Sequence, residues 1–164
     1  MTFPTMEVVS RLQGLLAGEW GLGTSMASLQ GYYGLSPEAT QEVAVGLVRA
    51  PAEFQEKAGS TRYPVIQTYC DQIENKRSEQ FRAFSGRMRL VTEVRVSTDR
   101  LEGLAERLHF YVDAVRDVVE RNAGCLGEGV FLEPGYEVAF EAVKKGGLNF
   151  LQVGRVVCWV GVSR

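Results

Sequence analysis

Residues 88–96 run Met-Arg-Leu-Val-Thr-Glu-Val-Arg-Val, and no other stretch limits the fold as tightly. In an extended chain Met88, Leu90, Thr92, Val94 and Val96 fall on one side and are mostly apolar. Arg87, Arg89, Glu93 and Arg95 fall on the other side. Period-two alternation marks a strand with one face packed and the other wet. Such a strand needs a layer to cover its apolar face.

The next segment supplies that layer. Leu101, Leu104, Leu108, Val112, Val115 and Val119 recur at spacings of 3, 4, 4, 3 and 4, one apolar stripe on a helix. Arg100, Glu106, Arg107, Asp113, Asp117 and Glu120 occupy the other side. Asp99 with Glu102 has the form of a capping box and predicts a start there. Asn122-Ala123-Gly124 ends the helix, with Gly124 able to take the left-handed terminal conformation. Two further strands are predicted around 136–143 and 151–162. Glu133-Pro134-Gly135-Tyr136 has type II turn chemistry and should join 130–132 to 136–143. The Gly146-Gly147 region reverses the chain into the last strand. Glu137 and Glu141 share one face of the penultimate strand, and Tyr136, Val138, Phe140 and Ala142 share the other.

The N-terminal half is less regular. Val8, Val9, Leu12, Leu15 and Leu16 predict a helix over 4–17, with Pro4 early in it and Gly18, Gly21 and Gly23 stopping it. Residues 29–34 hold strand formers broken by glycine, and Ser36-Pro37-Glu38 could open a helical turn. Residues 43–48 read as a strand ended by Pro51, and 52–61 as a polar, exposed loop. Residues 63–70 read as a strand entered through Pro64, which lacks a ladder donor and belongs at its first position or on an edge. The polar stretch 71–86 reads as a mobile loop or arm. The class expected is α+β: a mostly antiparallel sheet packed by a long helix and an N-terminal helix.

At 164 residues, one domain spanning 1–164 is the natural division, with 20–60 a candidate insertion or arm. The net charge of −2, without a basic run, lacks the electrostatic footprint of a nucleic-acid binder. Cys70, Cys125 and Cys158 form no CxxC motif, and their odd number argues against a full disulfide framework. His109, the single histidine, excludes a multi-histidine metal site and reads as an ordinary helix residue. No catalytic motif surrounds any candidate nucleophile. No cofactor is expected. Glu7 and Arg11 interrupt the first apolar stretch, which argues against a signal peptide. No apolar run approaches the ~20 residues of a membrane span, so a soluble protein is expected.

The C-terminal block then takes on a likeness. An alternating strand ends in Arg95-Val96-Ser97, and a long helix, a Pro-Gly turn and Tyr136-Glu137-Val138 follow. A Gly-Gly hairpin leads to Gly154-Arg155-Val156-Val157-Cys158-Trp159-Val160-Gly161-Val162, and Tyr63-Pro64-Val65 precedes the alternating strand. Over roughly 63–164 this resembles the tail terminator (tail completion, head–tail joining) proteins of long-tailed bacteriophages. The resemblance implies a structural protein of the virion neck, assembled in the host cytoplasm as a hexameric ring. Such a ring caps the completed tail tube and joins it to the head connector. Its partners would be further copies of the chain, the tube protein and the head-closure or connector protein, with DNA passing through the lumen. There are no catalytic residues to carry over.

Under this reading Arg87, Arg89, Arg95, Glu137 and Glu141 form the subunit-interface candidates, since complementary signs on one surface suit a repeated contact. Cross-strand pairing inside one subunit is the competing account of the same residues. The rival functions are a head-closure or stopper protein, another neck adaptor, and a small cytosolic ligand-binding domain. An enzyme is the least supported.

Overall fold

The computed structural model describes residues 5–35, the main chain of 44–47, and residues 63–77 and 79–164. The expectations for 36–38 and 52–61 lie outside these residues. Chain order is α1 (Thr5–Ala17), α2 (Leu22–Tyr33), β1 (Ala44–Leu47), β2 (Val65–Asn75), β3 (Ser85–Thr98), α3 (Leu104–Arg121), β4 (Gly124–Gly127), β5 (Val130–Leu132), β6 (Glu137–Phe140), β7 (Lys144–Gly146) and β8 (Asn149–Ser163). The strands form one sheet in the order β1-β2-β3-β8-β5-β4, with β6 and β7 also paired to β8. β1 runs parallel to β2, and every other described pairing is antiparallel. The class is therefore α+β, as the sequence indicates.

The axis of the sheet is the β3–β8 ribbon. Its register runs without a break from Ser85↔Ser163 to Thr98↔Phe150. The alternation of 88–96 places Met88, Leu90, Val94 and Val96 in the core, against Val156, Cys158, Val160 and Val162 of β8 and Ile66 of β2. Thr92 is buried among them, its hydroxyl paired with Thr68 at 3.1 Å. From α3, Leu104, Leu108, Val112, Val115 and Val119 close over this face, joined by Phe110, Tyr111 and Val118. Val8, Val9, Leu12 and Leu16 of α1 complete the layer.

The helix stripe begins one position later than its spacing predicts. Leu101 is 57% exposed. β3 continues to Thr98, and the chain needs 99–103 to cross from the sheet to the helical layer. Gly103, at φ 78, makes that crossing and caps α3; no side chain caps it, so the Asp99–Glu102 box does not form. At the far end Asn122 is the cap, its amide donating to Val118 O at 2.8 Å, while Gly124 already opens β4.

Three other expectations are corrected. Residues 22–33 are helix, which takes in most of the 29–34 stretch expected to hold strand formers broken by glycine; Leu22, Met26, Leu29 and Tyr33 recur at helical spacing and pack on the core. α2 is also held to α3 by polar contacts: Ser25 donates to Asp117 at 2.6 Å, Tyr33 donates to Asp113, and Arg121 reaches Trp20 O at 2.9 Å and Ser25 Oγ at 2.6 Å. So Asp113 and Asp117 serve the helix–helix contact, and the part of 20–60 that α2 occupies belongs to the folded body. Second, the two ends of 71–86 are strand, at 71–75 and 85–86, while the described residues between them are loop and exposed or half-buried. β2 runs to Asn75 and meets Gly86, after an irregularity between Cys70 and Gln72. That shift breaks the alternation and disguises the strand. Third, Pro134-Gly135 joins β5 to β6 as expected but does not reverse the chain. β5, β6 and β7 lie one after another along the same edge of β8, so Gly135, at φ 101, marks a jog in a broken strand. The reversal comes at Gly147-Leu148, between Gly146 and its partner Asn149.

Candidate assembly surface

On the face turned away from the helices, the odd-numbered residues of β3 meet their cross-strand neighbours in rows. One row is Glu74, Arg87 and Gly161; the next holds Gln72, Arg89 and Trp159; a third holds Gln67, Glu93, Arg155 and Ala139. This face was read as wet, and at its centre it is not. Val91, Glu93 and Val153 are all buried. The Glu93 side chain is 0% exposed and is held by charge-assisted contacts. Arg95 Nε donates to its Oε1 at 2.6 Å, Arg155 Nε donates to its Oε2 at 3.0 Å, and the Tyr69 hydroxyl donates to the same oxygen at 3.2 Å. Arg155 continues outward to Glu141 at 2.7 Å, and Glu141 also pairs with Lys144 at 3.3 Å.

These contacts move the ionisation of their members. Burial opposes the Arg155 charge, but the bond to Glu141 and the charge of Glu93 outweigh it, and its pKa rises above the ordinary arginine value. Arg155 in turn is the main cause holding Glu141 below the usual carboxylate value. Burial, then the Glu93 charge, raises Tyr69. Toward the β2–β3 loop, Arg87 donates to Glu74 at 3.0 Å, lies 3.7 Å from Glu133 and stacks over Trp159 at 4.0 Å. Arg89 makes a two-pronged pair with Asp71 at 2.8 and 2.6 Å.

The five interface candidates therefore share one face, and their first partners are in their own chain. Arg87, Arg89 and Arg95 each hold an acidic residue, and Glu141 holds two basic ones. Glu137 is exposed at the β6 edge, and its charge adds to the stabilisation of Arg89. The cross-strand account describes the Arg87–Glu74, Arg89–Asp71 and Arg155–Glu141 contacts, whereas Arg95 holds Glu93 of its own strand and is too enclosed to offer its charge to a neighbour. Arg155 and Tyr69, which complete the buried centre, were missed. Arg155 is in phase with Val153, Val157 and Trp159, but the apolar run around it hides that phase.

The two ends of the ribbon differ. Beside Ser85 and Ser163 lies a cavity of about 410 Å³, lined by Glu79, Cys125, Gly127, Gly129, Phe131 and Gly161 among others. Beside Thr98 lies a polar cavity of about 440 Å³, lined by Tyr63, Asp99, Arg100, Arg107 and Asn149 among others. At this second end the β7–β8 hairpin projects Leu148, 92% exposed. No group of described residues could hold a metal ion, and no described helix is long and apolar enough to cross a membrane. Cys70, Cys125 and Cys158 are free thiols. No protein-family model matches the chain, and no curated protein matches it.

Proposed function

We propose that this protein is a structural, ring-forming component of a phage neck, of the tail terminator type, which caps the tail tube and joins it to the head connector. The observation that carries the reading is the β3–β8 ribbon, paired over the 14 residues of β3, with helices on one face and ion pairs on the other. The phrases behind the resemblance fall at its structural joints. Tyr63-Pro64 precedes β2, Arg95-Val96-Ser97 closes β3, the Gly-Gly pair turns β7 into β8, and Gly154–Val162 lies within β8. Unlike ends on one rigid element suit a contact in which one patch meets a different patch on the next subunit and the series closes. In this reading Arg87, Arg89 and Glu137, the accessible members of the candidate set, border that contact.

The test is electron microscopy of particles from a phage carrying this gene, intact and disrupted. Disruption is expected to leave filled heads and separate tails, many of them overlong. Emptied heads beside tails of normal length would assign the protein to head closure instead. Normal virions without it would sink the neck assignment.

A further inference from the structure

Two exposed features of this chain have no function in the isolated fold, and they are complementary. The first is the β7–β8 hairpin tip. Leu148 projects from a two-residue loop, and Lys145 beside it has the Phe150 ring, 5.7 Å away, as its partner among the described residues. Lys145 has no carboxylate partner there. The second is the cavity at the other end of the ribbon. Gly86, Gly127, Gly129 and Gly161 line it, and Phe131 is an exposed apolar side chain there. Glu128 lies between two of these glycines; Arg164 Nε donates to its main-chain oxygen at 3.3 Å, and its carboxylate forms no ion pair among the described residues. Glu79 on the rim belongs to a loop whose next residues include Phe81, fully exposed and at φ 67, a backbone setting that a bulky residue rarely adopts without cause.

We propose that the hairpin tip of one copy seats Leu148 in the glycine-lined cavity of a second copy, with Lys145 of the first against Glu128 of the second. The occupant is a second copy because both halves of the joint belong to one chain. They sit at opposite ends of a ribbon roughly 45 Å long, as 14 extended residues span. Each copy carries one tip and one cavity, so the contact is head-to-tail and leaves none unfilled once the series closes. Lys145 and Glu128 supply opposite charges without an ion pair of their own among the described residues, and Leu148, Phe131 and Phe81 supply apolar surface. The proposal gives the ring reading a contact; it rests on that reading for closure and not for the joint itself.

Cys125 lines the cavity and is exposed, so the chain carries its own reporter. Leu148→Cys protein at high concentration is oxidised with diamide. Two thiols form one disulfide, and diamide takes up the two electrons and two protons. The expected product on non-reducing gels is a ladder of dimer, trimer and larger species. It disappears in Leu148→Cys/Cys125→Ser. Gly161→Val adds a side chain to the cavity wall at a position where its Cβ meets nothing closer than 3.7 Å, and should suppress the ladder with thermal melting unchanged. Lys145→Glu and Glu128→Lys should each weaken association, and the pair together restore it. No product beyond that of the unsubstituted protein, or a ladder indifferent to Cys125, overturns the joint. Product that needs Cys125 but stops at the dimer keeps the joint and overturns the ring.

Discussion

Glu93 and Arg155 face each other across the β3–β8 ladder, Arg155 Nε 3.0 Å from Glu93 Oε2, with the carboxylate fully enclosed. Arg95 and Tyr69 take up the rest of its acceptor capacity. A buried carboxylate with two arginines is costly to form and more costly to break, since removing one member strands the others. Glu93→Gln should therefore lose ~2–4 kcal/mol of stability in urea unfolding, somewhat below the usual range because Arg155 keeps 29% of its surface in water. Asp71→Asn, which breaks the more exposed Arg89 pair, should cost under ~1 kcal/mol. Equal losses in the two variants would show that the centre of this face is solvated.

The helix stripe yields a paired test. Leu108 is fully buried and Leu101 is not. Leu108→Ala should cost ~2–5 kcal/mol. Leu101→Ala should stay within ~0.5 kcal/mol of the parent. Chemical denaturation of both resolves whether the apolar layer begins at Leu104.

Two glycines of opposite character test the backbone. A Cβ at Gly86 would lie 1.8 Å from Glu74 O, a main-chain atom that cannot step aside while β2 and β3 stay paired. Gly23 lies inside α2 with nothing within 4 Å of an added Cβ. Gly86→Ala should lower the melting temperature and open the β2–β3 hairpin to protease. Gly23→Ala should raise stability by ~0.5–1 kcal/mol through its lower unfolded-state entropy. A neutral Gly86→Ala would place the close strand contact in doubt.

Alkali should unfold the protein in a defined window. Burial pushes the Cys158 thiol from 9.0 up to about 12. Burial, and then the hydrogen bond to Asp113, pushes Tyr33 from 10.0 up to about 12. Both folded values exceed the unfolded ones, so the stability that these groups contribute in neutral form is complete below about pH 9 and is lost as pH rises toward 12. Urea midpoints measured across that window should fall, and less steeply in Cys158→Ala. On the acid side the sign reverses. Arginine contacts hold Glu7, Glu74 and Glu141 below 4.5, so stability should drop as pH falls under that value.

Where one period governed a whole segment, the sequence was readable. The even positions of β3 and the stripe from Leu104 to Val119 took the faces their spacing predicts, because packing against one layer rewards a single phase. Residues 22–33 were obscured by Gly23, Gly31 and Tyr32, poor helix formers that outweighed a 4, 3, 4 spacing of larger apolar side chains. Their helix draws on tertiary partners, Asp113 and Asp117, which lie far along the chain. The candidate surface was half legible. Alternation assigned Arg87, Arg89 and Arg95 to one face, but Glu93 is enclosed partly by a residue 62 positions away, and no local pattern records that distance. The ends of the ribbon were not legible at all, since the cavity is assembled from backbone of β3, β4, β5 and β8.

The unbroken register between β3 and β8 also fixes how the molecule bears load. Tension applied at Ser85 and Asn149, which begin antiparallel strands at opposite ends of the ribbon, pulls along the strand direction. The ladder bonds then lie across the force and resist together, where a pull at one end alone would part them in succession. The chain is a tie-bar: stiff along its length, and weakest where β5, β6 and β7 meet β8 in short, separate splices.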